Sequence, residues 1–139
     1  MNDRNLKSTS NRGRALGVRL LQIAVIYLVV GMLGGLFMAA THQLQYGPVH
    51  AHMNLLGWAT LAIAGLVYHV HPELAEHWLA RAHAWLHNVG LVGMTLGMAL
   101  MFSGRMEALP LAFAGSGLAM IGVLLFAVNL CARLSTARA

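Results

Sequence analysis

The feature that most constrains the fold is the absence of charged side chains over most of the chain. After Arg19, no Asp, Glu, Lys or Arg occurs until Glu73, a stretch of 53 residues. One helical crossing of a bilayer takes about 20 residues, so this stretch can form two crossings. Two further uncharged runs, 82–104 and 108–132, can each form one more. The sequence therefore predicts an all-α integral membrane protein with four transmembrane helices. We place them at about 20–41, 49–70, 82–103 and 109–130.

The composition favours a lipid environment for nearly the whole chain. Of the 139 residues, 58% are hydrophobic and 9% are charged, whereas a soluble domain carries about 25% charged residues. The apolar runs do not alternate with polar residues, so we predict helices and not barrel strands. Cys131 is the single cysteine of the sequence, which excludes a disulfide framework or a thiolate metal cluster within one chain.

The basic residues indicate how the chain is oriented. Five of the nine precede the first predicted helix: Arg4, Lys7, Arg12, Arg14 and Arg19. Arg133 and Arg138 follow the last helix. The positive-inside rule therefore predicts that both termini are cytoplasmic, with residues 1–19 as a basic cytoplasmic tail and residues 20–139 as the four-helix membrane domain. We expect a multi-pass protein of a bacterial inner membrane, with the lipid bilayer as its partner and no nucleic acid.

The eight histidines fall into two bands along the predicted helices. Three lie near the outer face: His42, His50 and His52. Five lie near or within the inner half: His69, His71, His77, His83 and His87. Polar side chains inside a membrane are costly and tend to be functional, so the histidines are the first candidates for binding a cofactor.

His50 and His52 form the most informative pair. Two residues along a helix rotate the side chain by about 200°, so the two imidazoles point to opposite sides of helix two and cannot chelate one ion. They can serve two sites that flank the same helix, because a neutral imidazole is a good ligand for haem iron or copper. The alternative is that both are interfacial histidines bonded to water and loop carbonyls.

Two further patterns each allow two interpretations. His83 and His87 lie four residues apart on one face of helix three, where they can clamp a metal ion or have a structural role. Two glycine pairs occur at GxxxG spacing: Gly31/Gly35 in helix one and Gly93/Gly97 in helix three. Such pairs let helix backbones approach closely in lipid, and they can also make room for a flat cofactor.

Two segments resemble a known family. Residues 49–57, VHAHMNLLG, continuing to VYH at 67–69, are similar to the tenth helix of subunit I of haem-copper oxidases. Residues 82–86, AHAWL, continuing to FSGR at 102–105, are similar to the eleventh helix of that subunit. The likeness covers two of the four predicted helices and implies a small four-helix relative of the family.

The resemblance implies specific haem contacts. In that family the tenth helix carries a His-x-His pair, in which the first histidine binds the high-spin haem and the second binds the low-spin haem from the opposite face. His50 and His52 match these two positions, and His52 also matches the low-spin ligand of the family's second helix. Arg105 follows Ser103-Gly104 much as the family's propionate-binding arginines follow a similar Ser-Gly, so the resemblance implies that it contacts the haem propionates.

The resemblance does not extend to the copper site of the family. That site uses a His-Pro-Glu motif inside the sixth helix, whereas His71-Pro72-Glu73 lies at the inner end of helix two. The sequence therefore departs from the full haem-copper catalytic site, and whether the chain is an oxidoreductase stays open.

Subunit I of the family has twelve helices, arranged as three four-helix units about a pseudo-threefold axis. A chain that resembles one unit predicts a homotrimer, in which His52 of one protomer and His50 of the next hold haem b between them near the outer face. The expected function is electron transfer from a respiratory donor, or redox or gas sensing.

Two other functions fit the same sequence. One is a copper-binding or copper-handling membrane protein, because nine methionines and eight histidines suit copper; His42, His83 and His87 are then further candidate ligands. The other is a subunit of a respiratory complex with no cofactor of its own. A visible absorption spectrum and a metal analysis separate these three possibilities.

Overall fold

The computed structural model describes residues 3–136, and within them every regular element is helical. Four helices are long and apolar enough to cross a membrane, which confirms the predicted all-α four-helix fold. Helix one is Asp3–Thr41, helix two is 47–70, helix three is Trp78–Phe102 and helix four is Leu109–Thr136. Short turns at Leu44–Tyr46 and Met106–Ala108, and the short helix Pro72–Ala75, connect them. We call the end with the termini the inner end, following the predicted orientation, and the opposite end the outer end.

Helix one begins at Asp3 and not near residue 20, so the predicted basic tail continues the membrane helix. Extending a helix that already exists costs far less than nucleating a new one. The extension also packs against the inner loop, because a side chain at Gly13 would collide with the carbonyl oxygen of Pro72. The cytoplasmic location of this segment stays a prediction, and Arg138 lies outside the described residues.

Helix two changes its winding part-way along. It is an α-helix over Gly47–His52, a π-helix over Met53–Thr60 and again an α-helix over Leu61–Val70. The hydroxyl of Thr60 donates a 2.8 Å hydrogen bond to the carbonyl oxygen of Leu55, so a side chain contributes to the bonding of the wider turns. Such turns are rare and frequently occur at functional sites, and this one begins directly after His52.

Glycines allow the closest helix contacts. A side chain at Gly97 would lie 2.5 Å from the backbone nitrogen of Ala112 on helix four, and one at Gly115 would collide with the backbone of helix three. At the contact of helices one and two, a side chain at Gly17 would lie 2.7 Å from the carbonyl oxygen of Gly65. The close packing predicted for the glycine pair of helix three is confirmed at Gly97, whereas a side chain at Gly93 would make an ordinary contact, 3.5 Å from the Cα atom of Gly115.

The lateral surface of the bundle, along the sides of the four helices, is apolar. Tyr68 and Leu61 are fully buried, whereas Leu36, Phe37 and Phe113 are exposed by 67%, 51% and 70%. An exposed apolar surface of this extent is suited to lipid or to another apolar partner. The four helices therefore belong to a multi-pass protein that contacts the bilayer.

Candidate functional site

His50 lies on helix two and faces helix one. Its Nδ1 atom is 2.8 Å from the backbone carbonyl oxygen of Gly31. Because a carbonyl oxygen only accepts hydrogen bonds, Nδ1 must carry the proton and donate it. In the neutral ring Nε2 is then unprotonated, and its lone pair can bind a metal.

Asn54 lies one turn further along helix two and bonds to the backbone at His50. Its Nδ2 atom donates a 2.8 Å hydrogen bond to the backbone carbonyl oxygen of His50. Its 3.3 Å approach to the Nδ1 atom of His50 is not a hydrogen bond in this tautomer, because both atoms are donors. A side chain at Gly31 would lie 2.6 Å from this Nδ2 atom. Gly31 therefore makes room for Asn54, and its carbonyl oxygen accepts the hydrogen bond from His50.

His52 has the same tautomer and a different partner. Its Nδ1 atom lies 2.7 Å from the carbonyl oxygen of Pro48, one turn earlier in its own helix, so Nδ1 donates and Nε2 keeps its lone pair. His50 bonds to a neighbouring helix, whereas His52 bonds within its own; the opposite directions expected from the helical period stay a prediction. Metal-binding histidines generally donate their other ring N–H to a carbonyl or carboxylate in this way.

A shallow cavity of about 180 Å³ lies beside His50, between helices one and two, with Phe37 and Met38 in its apolar lining. A side chain at Gly35 would lie 2.9 Å from the Cε1 atom of His50, whereas one at Gly34 would extend into open space. The glycines of helix one therefore accommodate an imidazole and leave an open apolar surface beside it. The Gly31/Gly35 pair therefore lets helix one pack closely against the Asn54 and His50 side chains of helix two, and room for a flat cofactor at this pair stays a prediction.

His42 and Arg105 lie in the two outer connections, and both are exposed. His42 ends helix one in a left-handed backbone conformation with φ 57°, which is usual for Gly or Asn at this position. Gly104, with φ 95°, ends helix three just before Arg105. The rings of Tyr46 and Phe102 meet edge to face, 6.4 Å apart, so the two connections lie at the same end of the bundle as the His-x-His pair.

His83 and His87 lie apart from this pair, in the interior of the bundle, and both are fully buried. Nδ1 of His83 is 3.2 Å from the hydroxyl of Tyr68, and Nε2 of His87 donates to the carbonyl oxygen of Leu56 at 3.1 Å. Leu56 belongs to the π-helical segment. The two imidazoles meet edge to face with centroids 5.4 Å apart. These histidines therefore join helix three to helix two.

Three buried polar atoms lack a hydrogen-bond partner among the described residues: Nε2 of His83, Nδ1 of His87 and Oδ1 of Asn129. Such an atom costs about 1–3 kcal/mol and can mark an internal water or ion. In the described part of the chain, no three His, Cys, Asp or Glu side chains are grouped so that they could hold a metal ion.

Sequence reasoning missed the roles of Asn54, Tyr68 and Asn129. Asn54 follows His50 at i+4, a spacing that places two side chains together on a helix, so its role could have been noticed. Tyr68 bonds to His83, 15 positions away, and Asn129 donates to the carbonyl oxygen of Leu74, 55 positions away. No local pattern reveals such pairs.

Comparison with known proteins identifies no relative. No family model, curated protein or solved structure matches the chain significantly. The likeness of residues 49–105 to haem-copper oxidases therefore stays a prediction.

Proposed function

We propose that this chain is a b-type haem protein of the bacterial inner membrane that transfers electrons. The observation that carries the proposal is the shared state of His50 and His52. The Nδ1–H group of each donates a hydrogen bond to a backbone carbonyl oxygen, which in the neutral ring leaves Nε2 unprotonated. A neutral imidazole oriented through its second nitrogen is the form in which histidine binds a metal.

The surroundings of His50 fit a flat apolar group. The cavity beside the ring is lined by apolar side chains such as Phe37 and Met38, and a side chain at Gly34 would enter this open space. Haem is a flat, mostly apolar ring with two carboxylates. The guanidinium group of Arg105, in the connection at the same end, can pair with a carboxylate through two parallel hydrogen bonds.

Two protomers are needed for a bis-histidine site. His50 and His52 point about 200° apart on one helix, so one protomer cannot place both on one iron. In a homotrimer, His50 of one protomer and His52 of the next would hold one haem between them, and the symmetry would repeat this site three times. The cavity beside His50 opens on the protomer surface, where a neighbour can reach it.

The protein residues then determine the type of chemistry. Haem bound by two imidazoles supplies one-electron oxidation and reduction and has no open position for a substrate. The carbonyl oxygens of Gly31 and Pro48 hold the two rings in place and increase the electron-donating strength of their Nε2 atoms. This arrangement favours electron transfer from a respiratory donor, or redox sensing, over gas sensing.

The test is the visible absorption spectrum of the purified protein supplied with haem. We expect a Soret band, with sharp α and β bands on reduction, and we expect both His50→Ala and His52→Ala to lose most of this absorbance. His71→Ala, at the inner end, is the matched control and retains it. A full low-spin spectrum in His52→Ala contradicts the proposal, and a wild-type protein without haem bands favours the cofactor-free subunit.

Copper binding is the second candidate function, and one observation favours it. Nε2 of His83 and Nδ1 of His87 are buried nitrogens without a partner among the described residues, and neutral imidazoles suit copper. Metal analysis of the purified protein tests this. Stoichiometric copper that disappears in the double variant His83→Ala/His87→Ala would support a copper site, and a copper-free wild type would exclude it.

A further inference from the structure

A cleft at the inner end of the bundle carries charged groups that the proposed haem site does not use. Its volume is about 420 Å³, and it lies among helix one, the inner loop and helix three. Helix one contributes Arg19, the loop contributes Glu76, and helix three contributes Arg81 and Trp85. All four side chains are exposed, so the cleft is accessible from outside the protomer.

The charges of this cleft are not paired with any side chain that the structure describes. Among the side chains that the structure describes, the ion pair found is His71 with Glu73, and Arg19, Arg81 and Glu76 have no ionic partner. The cleft therefore presents two guanidinium groups and one carboxylate. The cleft suits a ligand that has an anionic group for the two guanidinium groups and a hydrogen-bond donor for the carboxylate.

The cleft also extends along helix three, from the inner end toward the middle of the predicted crossing. Trp85 follows Trp78 by seven residues, which places it about 10 Å deeper along helix three. Its side chain is 73% exposed, and tryptophan prefers the boundary between headgroups and acyl chains. Leu16 and Ala84 add apolar walls. A matching ligand is polar at one end and apolar at the other.

We propose that this cleft binds the headgroup of a phospholipid. Arg19 and Arg81 donate hydrogen bonds to the two free oxygens of the phosphodiester. Glu76 accepts a hydrogen bond from a donor beyond the phosphate, which is the ammonium group of phosphatidylethanolamine or a hydroxyl of phosphatidylglycerol. Phosphatidylcholine has no such donor. The acyl chains of the bound lipid extend from the cleft past Trp85 into the bilayer.

Native mass spectrometry of the full chain, with these three lipids on identical acyl chains, tests the proposal. We expect phosphatidylethanolamine and phosphatidylglycerol to be retained several-fold more than phosphatidylcholine. Arg19→Ala and Arg81→Ala should each lower the retention of all three lipids by up to about fivefold, the upper range for an exposed ion pair. Glu76→Gln should keep the binding and remove most of the preference over phosphatidylcholine.

The controls separate loss of the ligand from loss of the fold. Arg14→Ala changes an exposed arginine of helix one outside the cleft and should leave lipid retention unchanged. Arg81→Lys keeps the positive charge and should restore part of the retention, and the helical circular dichroism of every variant should match the wild type.

Three results would overturn the proposal. Equal retention of phosphatidylcholine by the wild type would show that the cleft does not recognise a phospholipid headgroup by its hydrogen-bond donor. Displacement of the lipid by an excess of inorganic phosphate would make the cleft a simple anion site. Displacement of the lipid by a short-chain quinone would show that the cleft binds a redox carrier. Because the haem spectrum reports on the outer end, failure here leaves the proposed function untouched.

Discussion

The Nδ1–H group of His50 donates a 2.8 Å hydrogen bond to the backbone carbonyl oxygen of Gly31 on the neighbouring helix. An imidazole rotates broadly about its second side-chain torsion, so this bond is what selects one ring orientation and one tautomer. Gly35, one turn further along helix one, lets the ring lie against the backbone. Helix one therefore orients the imidazole of His50, which is a candidate metal ligand on helix two.

Replacing Gly35 with alanine should weaken haem binding. The added methyl group would lie 2.9 Å from Cε1 of His50, so the ring would have to move. Alanine is more favourable than glycine inside a helix by about 0.5–1 kcal/mol, so the loss would not come from a weaker helix. Gly117→Ala is the matched control, because a side chain there meets nothing within 4 Å. Equal haem affinity of the two variants in a titration would contradict this prediction.

Asn54→Leu should reduce haem affinity without abolishing it. The substitution removes the hydrogen bond from Asn54 to the carbonyl oxygen of His50. One such bond contributes about 1 kcal/mol, or roughly fivefold in affinity. Asn88→Leu is the control, because Asn88 donates to the carbonyl oxygen of Ala84, also four residues earlier, on helix three. A haem titration that shows complete loss in Asn54→Leu would mean that Asn54 does more than position His50.

Arg105→Ala should lower the haem affinity or shift the reduction potential downward. Removing a cation near the haem disfavours the reduced state, which carries one more electron. Arg105→Lys keeps the charge and loses the paired hydrogen bonds of the guanidinium group, so its potential should lie closer to the wild type. Potentiometric titration measures both variants. An unchanged potential and occupancy in Arg105→Ala would make Arg105 a boundary charge only.

The protein should be a homotrimer whose haem binding depends on assembly. Native mass spectrometry in detergent should show three chains with up to three haems. Co-assembled His50→Ala and His52→Ala chains should recover bis-histidine sites at about one quarter of the interfaces, since each interface needs one intact ligand from each neighbour (½ × ½). A haem-loaded monomer would exclude the trimer and would point to His42 as the second ligand.

Both termini should lie in the cytoplasm. The basic residues cluster before helix one and after helix four, and Arg105 is the single basic residue of the outer connections. A C-terminal reporter that is active only in the cytoplasm should give a signal. Activity of a periplasm-specific reporter at the same position would reverse the orientation and would place the His-x-His pair near the cytoplasmic face.

The sequence alone predicts the four crossings because a bilayer excludes charged side chains, and the uncharged runs have the length that the bilayer thickness requires. It also predicts that His50 and His52 face different sides, because the helical period is a local property. The start of helix one at Asp3 is not predicted in this way, because the charged residues up to Arg19 mark the end of the uncharged run and not the end of the helix.

What only the tertiary structure decides is the chemical state of these side chains. His50 keeps its Nε2 lone pair because Gly31, 19 positions earlier, supplies the carbonyl oxygen for Nδ1. His87 is buried, and the carbonyl oxygen of Leu56, 31 positions earlier, accepts the hydrogen bond from its Nε2–H group. Helices in lipid associate through the shapes of their surfaces and not through a hydrophobic driving force. These partners therefore exist only once the helices have met.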